Sequence, residues 1–223
     1  MKTFWQSIRW LMNRRSVRKM RISRWEESKK EIEERQDGKM KKQTAIFLAE
    51  GFEEIEALTV VDLLRRAQIE ITMVSISDNM SVKGAHGIVV QADALFDQVN
   101  FDEMDALVLP GGMPGTRNLQ AYEPLIKAIK KAASDGKIVS AICAAPLILG
   151  LNHLLEGKKA SCYPGFEEDL LEAKVSYDTV SKDGNIITSR GMGTAIEFAC
   201  ELIGVLLDEE TAKKMKETII YQA

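Results

Sequence analysis

Ile138-Val139-Ser140-Ala141-Ile142-Cys143-Ala144-Ala145-Pro146 decides the reading of this chain. An apolar strand over Lys137 to Ile142 turns abruptly into a helix from Cys143 to about Leu151, with a cysteine at the corner. That arrangement resembles a nucleophile elbow, in which the reactive atom projects from a tight bend and the residues two before and two after must be small. Ala141 and Ala145 meet that requirement. A thiol at a helix N-terminus is expected to have a lowered pKa, because the positive end of the macrodipole favours the thiolate. The competing reading is a core cysteine that only fills space.

Outward from the elbow, short apolar runs alternate with amphipathic segments from Lys41 onward, which predicts βα units around a mostly parallel sheet. Strands are expected at Thr44 to Ala49, Glu70 to Ile76 and Ala106 to Leu109. A helix over Glu53 to Ala67 places Ile55, Leu58, Val61, Leu63 and Leu64 on one face, and another covers Glu123 to Ser134. Val82 to Gln91 reads as a hairpin broken at Lys83-Gly84 and His86-Gly87. Asp183-Gly184 turns a second hairpin, and Thr194-Ala195-Ile196-Glu197 has the pattern of a capping box opening the helix to Leu207. The fold class is a three-layer α/β/α sandwich with a mostly parallel central sheet.

The chain has 223 residues, 30 Lys+Arg, 33 Asp+Glu, 3 Cys and 2 His. Three cysteines without a C-x-x-C pair, and two isolated histidines (His86 and His153), predict no metal site and no disulfide framework; a reducing, cytoplasmic setting is expected. No apolar run approaches the ~18 residues of a membrane-spanning helix. Charge is uneven: residues 1–40 carry 12 basic and 6 acidic residues, leaving 18 basic and 27 acidic for the rest. An acidic body argues against a nucleic-acid partner.

All three tryptophans (Trp5, Trp10, Trp25) lie in residues 1–40, which we separate from a body over 41–223. Phe4, Ile8 and Leu11 at helical spacing beside Arg14, Arg15, Arg18 and Lys19 give a basic amphipathic segment. It fits contact with an anionic membrane, an organellar transit peptide, or an extension upstream of a second start at Met40 that the body does not need.

Two more segments carry chemistry. Leu109-Pro110-Gly111-Gly112-Met113-Pro114-Gly115 follows a buried strand and lacks the Gly-Lys-Ser/Thr ending of a P-loop. Its glycines free backbone N–H groups where an oxyanion would be held. In Ala49-Glu50-Gly51-Phe52-Glu53-Glu54-Ile55-Glu56, Glu53 and Glu54 fit complementarity to a helix dipole. Glu56 is different if it turns inward toward Cys143, since burial beside a thiolate favours the protonated acid and makes it a hydrogen-bond donor and proton shuttle.

In order and spacing, AEGFEEIEA (49–57), LPGGMPGTRNL (109–119), SAICAAP (140–146) and SRGMGTAIEFA (189–199) resemble the ThiJ/PfpI superfamily, specifically its DJ-one branch; VVDLLRRA (60–67) and SKDGNIITS (181–189) agree as well. The resemblance covers about residues 42 to 220. It implies a flavodoxin-like fold related to class I glutamine amidotransferases, a homodimer, and a site made of an elbow cysteine and a protonated glutamate. Those become Cys143 and Glu56, with Gly111, Gly112, Ala144 and Tyr163 as oxyanion and substrate-binding positions. Many relatives place histidine where this chain has Tyr163. A phenol with a reference pKa near ~10 is a poor general base at neutral pH.

The resemblance implies a cofactor-independent cysteine enzyme of the glyoxalase III or protein deglycase type, acting on reactive aldehydes such as methylglyoxal or on their protein adducts. A second reading is a redox sensor or redox-regulated chaperone responding to oxidative stress, in which Cys143 oxidises to a sulfinate. Cys200, in an apolar helix, is read as core. Cys162 and Tyr163, as neighbours in a strand, should face opposite ways.

Overall fold

The structure, a computed structural model, describes residues 41–222; the amphipathic reading of the first 40 residues lies outside them. In chain order the elements are β1 (Gln43–Leu48), α1 (Glu54–Arg66), β2 (Glu70–Ser75), β3 (Ser81–Lys83), β4 (Val89–Gln91), β5 (Ala94–Leu95), β6 (Ala106–Leu109), α2 (Gly115–Ala121), α3 (Glu123–Ser134), β7 (Ile138–Ile142), α4 (Pro146–Leu151), β8 (Lys159–Ala160), β9 (Lys174–Val175), β10 (Val180–Asp183), β11 (Ile186–Ser189), α5 (Ala195–Leu206) and α6 (Glu209–Thr218).

Seven strands form the central sheet in the order β10-β11-β7-β6-β1-β2-β5. Every pairing in it is parallel except β10 with β11, the hairpin that turns at Asp183-Gly184. β1 reads as a continuous apolar run because both its faces are covered. Ile46 and Leu48 join α1, α5 and α6 in one core, while Ala45 and Phe47 join α2, α3 and α4 in the other. That alternation makes the three layers. The chain leaves β1 for β2 on one side and returns to β6 on the other, so the C-terminal ends of β1 and β6 flank a crevice where doubly wound sheets place their ligands.

Four local expectations are corrected. Ile55 is exposed, at 51%, and the buried face of α1 instead carries Glu54 and Glu56 beside Ala57, Val60, Val61, Leu63 and Leu64. α2 was not foreseen, because its sequence opens on Gly115 and holds few apolar residues. The helix after β7 begins at Pro146, not Cys143. The capping box at Thr194 does not form: its Oγ1 serves the loop before the helix, donating to the Gly191 carbonyl (2.7 Å), accepting from the Gly191 N–H (3.1 Å) and meeting Ser189 Oγ (2.6 Å).

Candidate active site

Cys143 sits between β7 and α4 with φ of +65°, in the left-handed region where a side chain with a Cβ is strained by about 1–3 kcal/mol. Both its backbone groups are tied to neighbours. Its N–H donates to the Ser189 carbonyl (3.0 Å) at the end of β11, and its C=O accepts from the Tyr163 N–H (2.7 Å). These bonds hold the bend from both sides, and the side chain projects to where β1 and β6 end.

Glu56 arrives from the first turn of α1, 1% exposed. Its Oε2 accepts the Gly111 N–H at 2.9 Å, and its carboxyl is hydrogen-bonded to the Cys143 thiol. Oε1 is buried with no hydrogen-bond partner. Burial pushes this carboxyl up to about 7, against the lowering effect of the Cys143 and Gly111 hydrogen bonds. The inward turn that the sequence left open is therefore made.

The thiol goes the opposite way from the sequence expectation. Burial pushes Cys143 up to about 12, and the Glu56 charge and hydrogen bond add to it; the N–H groups of Ala144 and Gly112, directed at the sulfur, pull it down only in part. The helix dipole contributes little because α4 has six residues and starts three residues later. Burial likewise raises Cys162 and Cys200 to about 11. What singles out Cys143 is its company: a carboxyl that titrates near neutrality, and two N–H groups outside the backbone ladders.

Gly111 makes this contact possible. A Cβ there would lie 2.6 Å from Cys143 Cβ and 2.6 Å from Glu56 Oε2. Gly111→Ala is accordingly expected to separate the thiol from the carboxyl and to destabilise the fold by about 1–3 kcal/mol, the scale of core overpacking; chemical denaturation measures it, and an unchanged midpoint would show that the pair is not in contact. Gly112, with φ of +91°, lies so close to the loop after β1 that a Cβ would be 2.3 Å from the Glu53 nitrogen.

Tyr163 is half exposed, and its ring packs over Gly191: a Cβ on that glycine would stand 3.2 Å from Tyr163 Cδ2 and 3.9 Å from Cys143 Sγ. Neither Cys162 nor Tyr163 is in a strand, because β8 ends at Ala160, yet Cys162 does lie on the other side, 3% exposed, in the core that holds α4. Cys200 is buried in the opposite core. The structure thus gathers Cys143, Glu56, Gly111, Gly112, Ala144 and Tyr163 into one place.

Sequence reasoning missed the role of Glu54 and the partner of His86. Glu54 is buried and clamps the β3–β4 hairpin, accepting the His86 N–H (2.8 Å) and the Ile88 N–H (3.3 Å) and meeting His86 Nδ1 (3.0 Å). Burial raises its pKa, but these bonds and that of its own N–H outweigh burial and hold it below the usual value. Its hydrogen bond to Glu54, with the charges of Glu53 and Glu54, raises the His86 pKa. Glu53, Glu54 and His86 are also the one group among the described residues with three metal-ligating atoms close together, within 4.8 Å. The Glu54 oxygens are already engaged by the hairpin, so the cluster reads as a clamp.

Comparison with known proteins fits this geometry. The model of the DJ-1/PfpI family matches residues 42–204. The chain belongs to that family. It is 40% identical over 181 residues to Protein DJ-1 homolog B of Arabidopsis thaliana, a match covering 80% of this chain and 41% of that protein, so the chain spans less than half of that relative's length. It is 34% identical over 163 residues to a protein named a deglycase from Pyrococcus abyssi, covering 72% of this chain and 97% of the relative. The structure of oxidized Toxoplasma gondii DJ-1 superposes with a TM-score of 0.78 at 36% identity, covering 81% of this chain and 99% of that one. Among the described residues no helix is long and apolar enough to cross a membrane.

Proposed function

We propose that this DJ-1/PfpI chain is a cofactor-independent enzyme that isomerises and hydrates small reactive aldehydes, methylglyoxal first among them, with Cys143 as nucleophile and Glu56 as proton carrier. The observation that carries it is a buried carboxyl, titrating near 7, hydrogen-bonded to a thiol that also faces two backbone N–H groups. A thiol pushed up to about 12 is a poor nucleophile by itself, and an ionised carboxylate beside it is the base that it needs.

The steps balance with water as the only other reactant. Glu56 takes the thiol proton as Cys143 Sγ bonds to the aldehyde carbon of methylglyoxal. The developing alkoxide accepts from the N–H groups of Gly112 and Ala144, then takes the proton from Glu56 to give a hemithioacetal. The regenerated carboxylate removes the hydrogen of that carbon as a proton, leaving an enediolate; the remaining hydroxyl proton passes to the neighbouring oxygen, and Glu56 returns its proton to the adjacent carbon, leaving a lactyl thioester. Water, deprotonated by Glu56, cleaves the thioester to lactate and the free thiol. The same attack on an aldehyde adduct of an amine or thiol would make the chain a deglycase.

The test is lactate formation from methylglyoxal beside Cys143→Ser. A redox-sensing role would instead give negligible turnover and a Cys143 sulfinate held by the same N–H groups. Tyr163, in this scheme, orients substrate through one neutral hydrogen bond. Tyr163→Phe should cost about 1 kcal/mol, several-fold in kcat/KM; a steady-state loss beyond roughly 1000-fold, ~4 kcal/mol, would make the phenol an essential acid-base.

The active form is proposed to be a homodimer. α1 leaves Ile55 exposed beside a groove of about 640 Å³ lined by Leu58, Ile88, Ile196 and Ile219, an apolar patch that a second copy can cover by two-fold symmetry. Ile55→Glu should convert dimer to monomer in sedimentation equilibrium; a wild-type monomer would sink this reading.

A further inference from the structure

A left-handed residue such as Cys143 persists only where its surroundings hold it, and one of its two backbone bonds comes from a strand at the point where that strand ends. The Cys143 N–H donates to the carbonyl of Ser189, the last residue of β11. Pairing with β7 stops there, and the chain turns through Gly191, where a Cβ would stand 3.9 Å from Cys143 Sγ. The Thr194 side chain fixes this turn in place of a ladder.

Its Oγ1 accepts the Gly191 N–H and donates to the Gly191 carbonyl, so one hydroxyl serves both polar groups of a single backbone residue; the Thr194 N–H adds a bond to the same carbonyl (2.8 Å). The same Oγ1 meets Ser189 Oγ, and Ser189, fully buried, donates its own proton to the Thr179 carbonyl (2.7 Å) ahead of β10. With the Ser189 proton engaged there, the Thr194 proton is shared between the Gly191 carbonyl and Ser189 Oγ, a three-centre bond. Thr194 is itself anchored, because it immediately precedes α5, whose Ala195, Phe198 and Ala199 are buried in the core. A core helix thereby holds both the residue that takes the Cys143 N–H and the glycine next to its sulfur.

We propose that Thr194 is a positioning residue for the Cys143 reaction: its hydroxyl holds the turn from Ser189 to Gly191 against the elbow and so keeps the thiol in reach of Glu56 and of the Gly112 and Ala144 N–H groups. This goes beyond the aldehyde reading in naming what aims its nucleophile, and it rests on Cys143 as the reactive atom. Loss of that aim has a signature at Glu56. Burial and the Glu53 charge raise its carboxyl, while the hydrogen bonds of Cys143 and of the Gly111 N–H lower it. Glu53 and Gly111 lie before α1 and after β6, away from the turn, so a displaced thiol removes only its own lowering effect and Glu56 titrates at higher pH.

Thr194→Val, which keeps the shape and loses the hydroxyl, is compared with Thr194→Ser on the full chain. In Thr194→Val, kcat for methylglyoxal is expected to fall at least about 10-fold with KM within about twofold of wild type, as for a displaced reacting group. The rise of kcat/KM should move above its wild-type midpoint near pH 7. Thr194→Ser should hold that midpoint and keep kcat within about threefold of wild type. Iodoacetamide labelling of Cys143, read by peptide mass spectrometry, makes the comparison without turnover: the sulfur bonds to the methylene carbon, iodide leaves and Glu56 takes the thiol proton. It should slow at least about 10-fold in Thr194→Val and recover in Thr194→Ser. A Thr194→Val protein with unchanged labelling and midpoint, or a Thr194→Ser protein as impaired as Thr194→Val, would overturn the proposal. Should Thr194→Val not fold, Thr194→Ala takes its place with the same expected outcomes. Labelling that depends on the Thr194 hydroxyl in a protein that does not consume methylglyoxal would sink the aldehyde reading and keep the positioning role; turnover with labelling indifferent to Thr194→Val would do the reverse.

Discussion

Cys143→Ser is expected to lower methylglyoxal turnover by at least about 1000-fold, ~4 kcal/mol of transition-state stabilisation, with the fold retained. The magnitude follows from proton affinity. Glu56, pushed up to about 7, can take a proton from a thiol as that thiol attacks, but an alcohol is a far weaker acid and a poorer nucleophile. Serine is also the conservative choice for the backbone, since either side chain must bear the same left-handed φ. Lactate formation by the purified variant, beside Cys162→Ser and Cys200→Ser as controls, measures the effect. Those two thiols lie in the two cores and should be dispensable for turnover. Residual activity within about tenfold of wild type in Cys143→Ser would remove the covalent mechanism altogether.

Where the chemistry depends on backbone pattern, the sequence was readable. The buried run of β1, the turn at Asp183-Gly184 and the strand into Cys143 are each announced by local composition, and together they specify the doubly wound sheet and put three loops at one end of it. Gly111 and Gly112 were legible as positions that free backbone N–H groups, whereas their close approach to Glu56 and to the loop after β1 is visible only in the folded chain. What the pattern could not give was the outcome of competition between partners. Thr194 has the spacing of a capping box, yet its hydroxyl is better placed for Gly191. Glu54 looks like a helix-dipole acid, and only the folded β3–β4 hairpin, 32 residues away, reveals the N–H groups that it binds. Ile55 fits a buried stripe by period, but the turn of α1 that buries Glu54 and Glu56 rotates it outward. The direction of the Cys143 shift was missed for the same reason. Dipole arguments use position along the chain, whereas burial and a facing carboxyl are properties of the assembled site.

Glu56→Gln should separate catalysis from stability in opposite directions. Turnover at pH 8 is expected to fall at least ~100-fold, the contribution of a positioned general base, and the wild-type rise of kcat/KM through pH about 7 should disappear, because the amide has no proton to lose. Stability should go the other way. The Glu56 carboxyl has a pKa of about 7 when folded against 4.5 as its ordinary value, so between these the folded state binds the proton that the unfolded chain releases. Native stability therefore falls as pH rises from about 4.5 to about 7 and stays reduced above it. A shift of that size corresponds to about 3 kcal/mol for a fully buried group. Glutamine keeps an oxygen for the Gly111 N–H while bearing no charge. Relative to wild type, the variant should gain stability progressively over that interval, with no gain at pH 4.5 and an upward shift of about 6–12 °C in Tm at pH 8. Thermal melts of both proteins at the two pH values decide the matter. A difference in Tm that does not change with pH would mean that Glu56 has the same proton affinity folded and unfolded, and would take away the base on which the proposed chemistry depends.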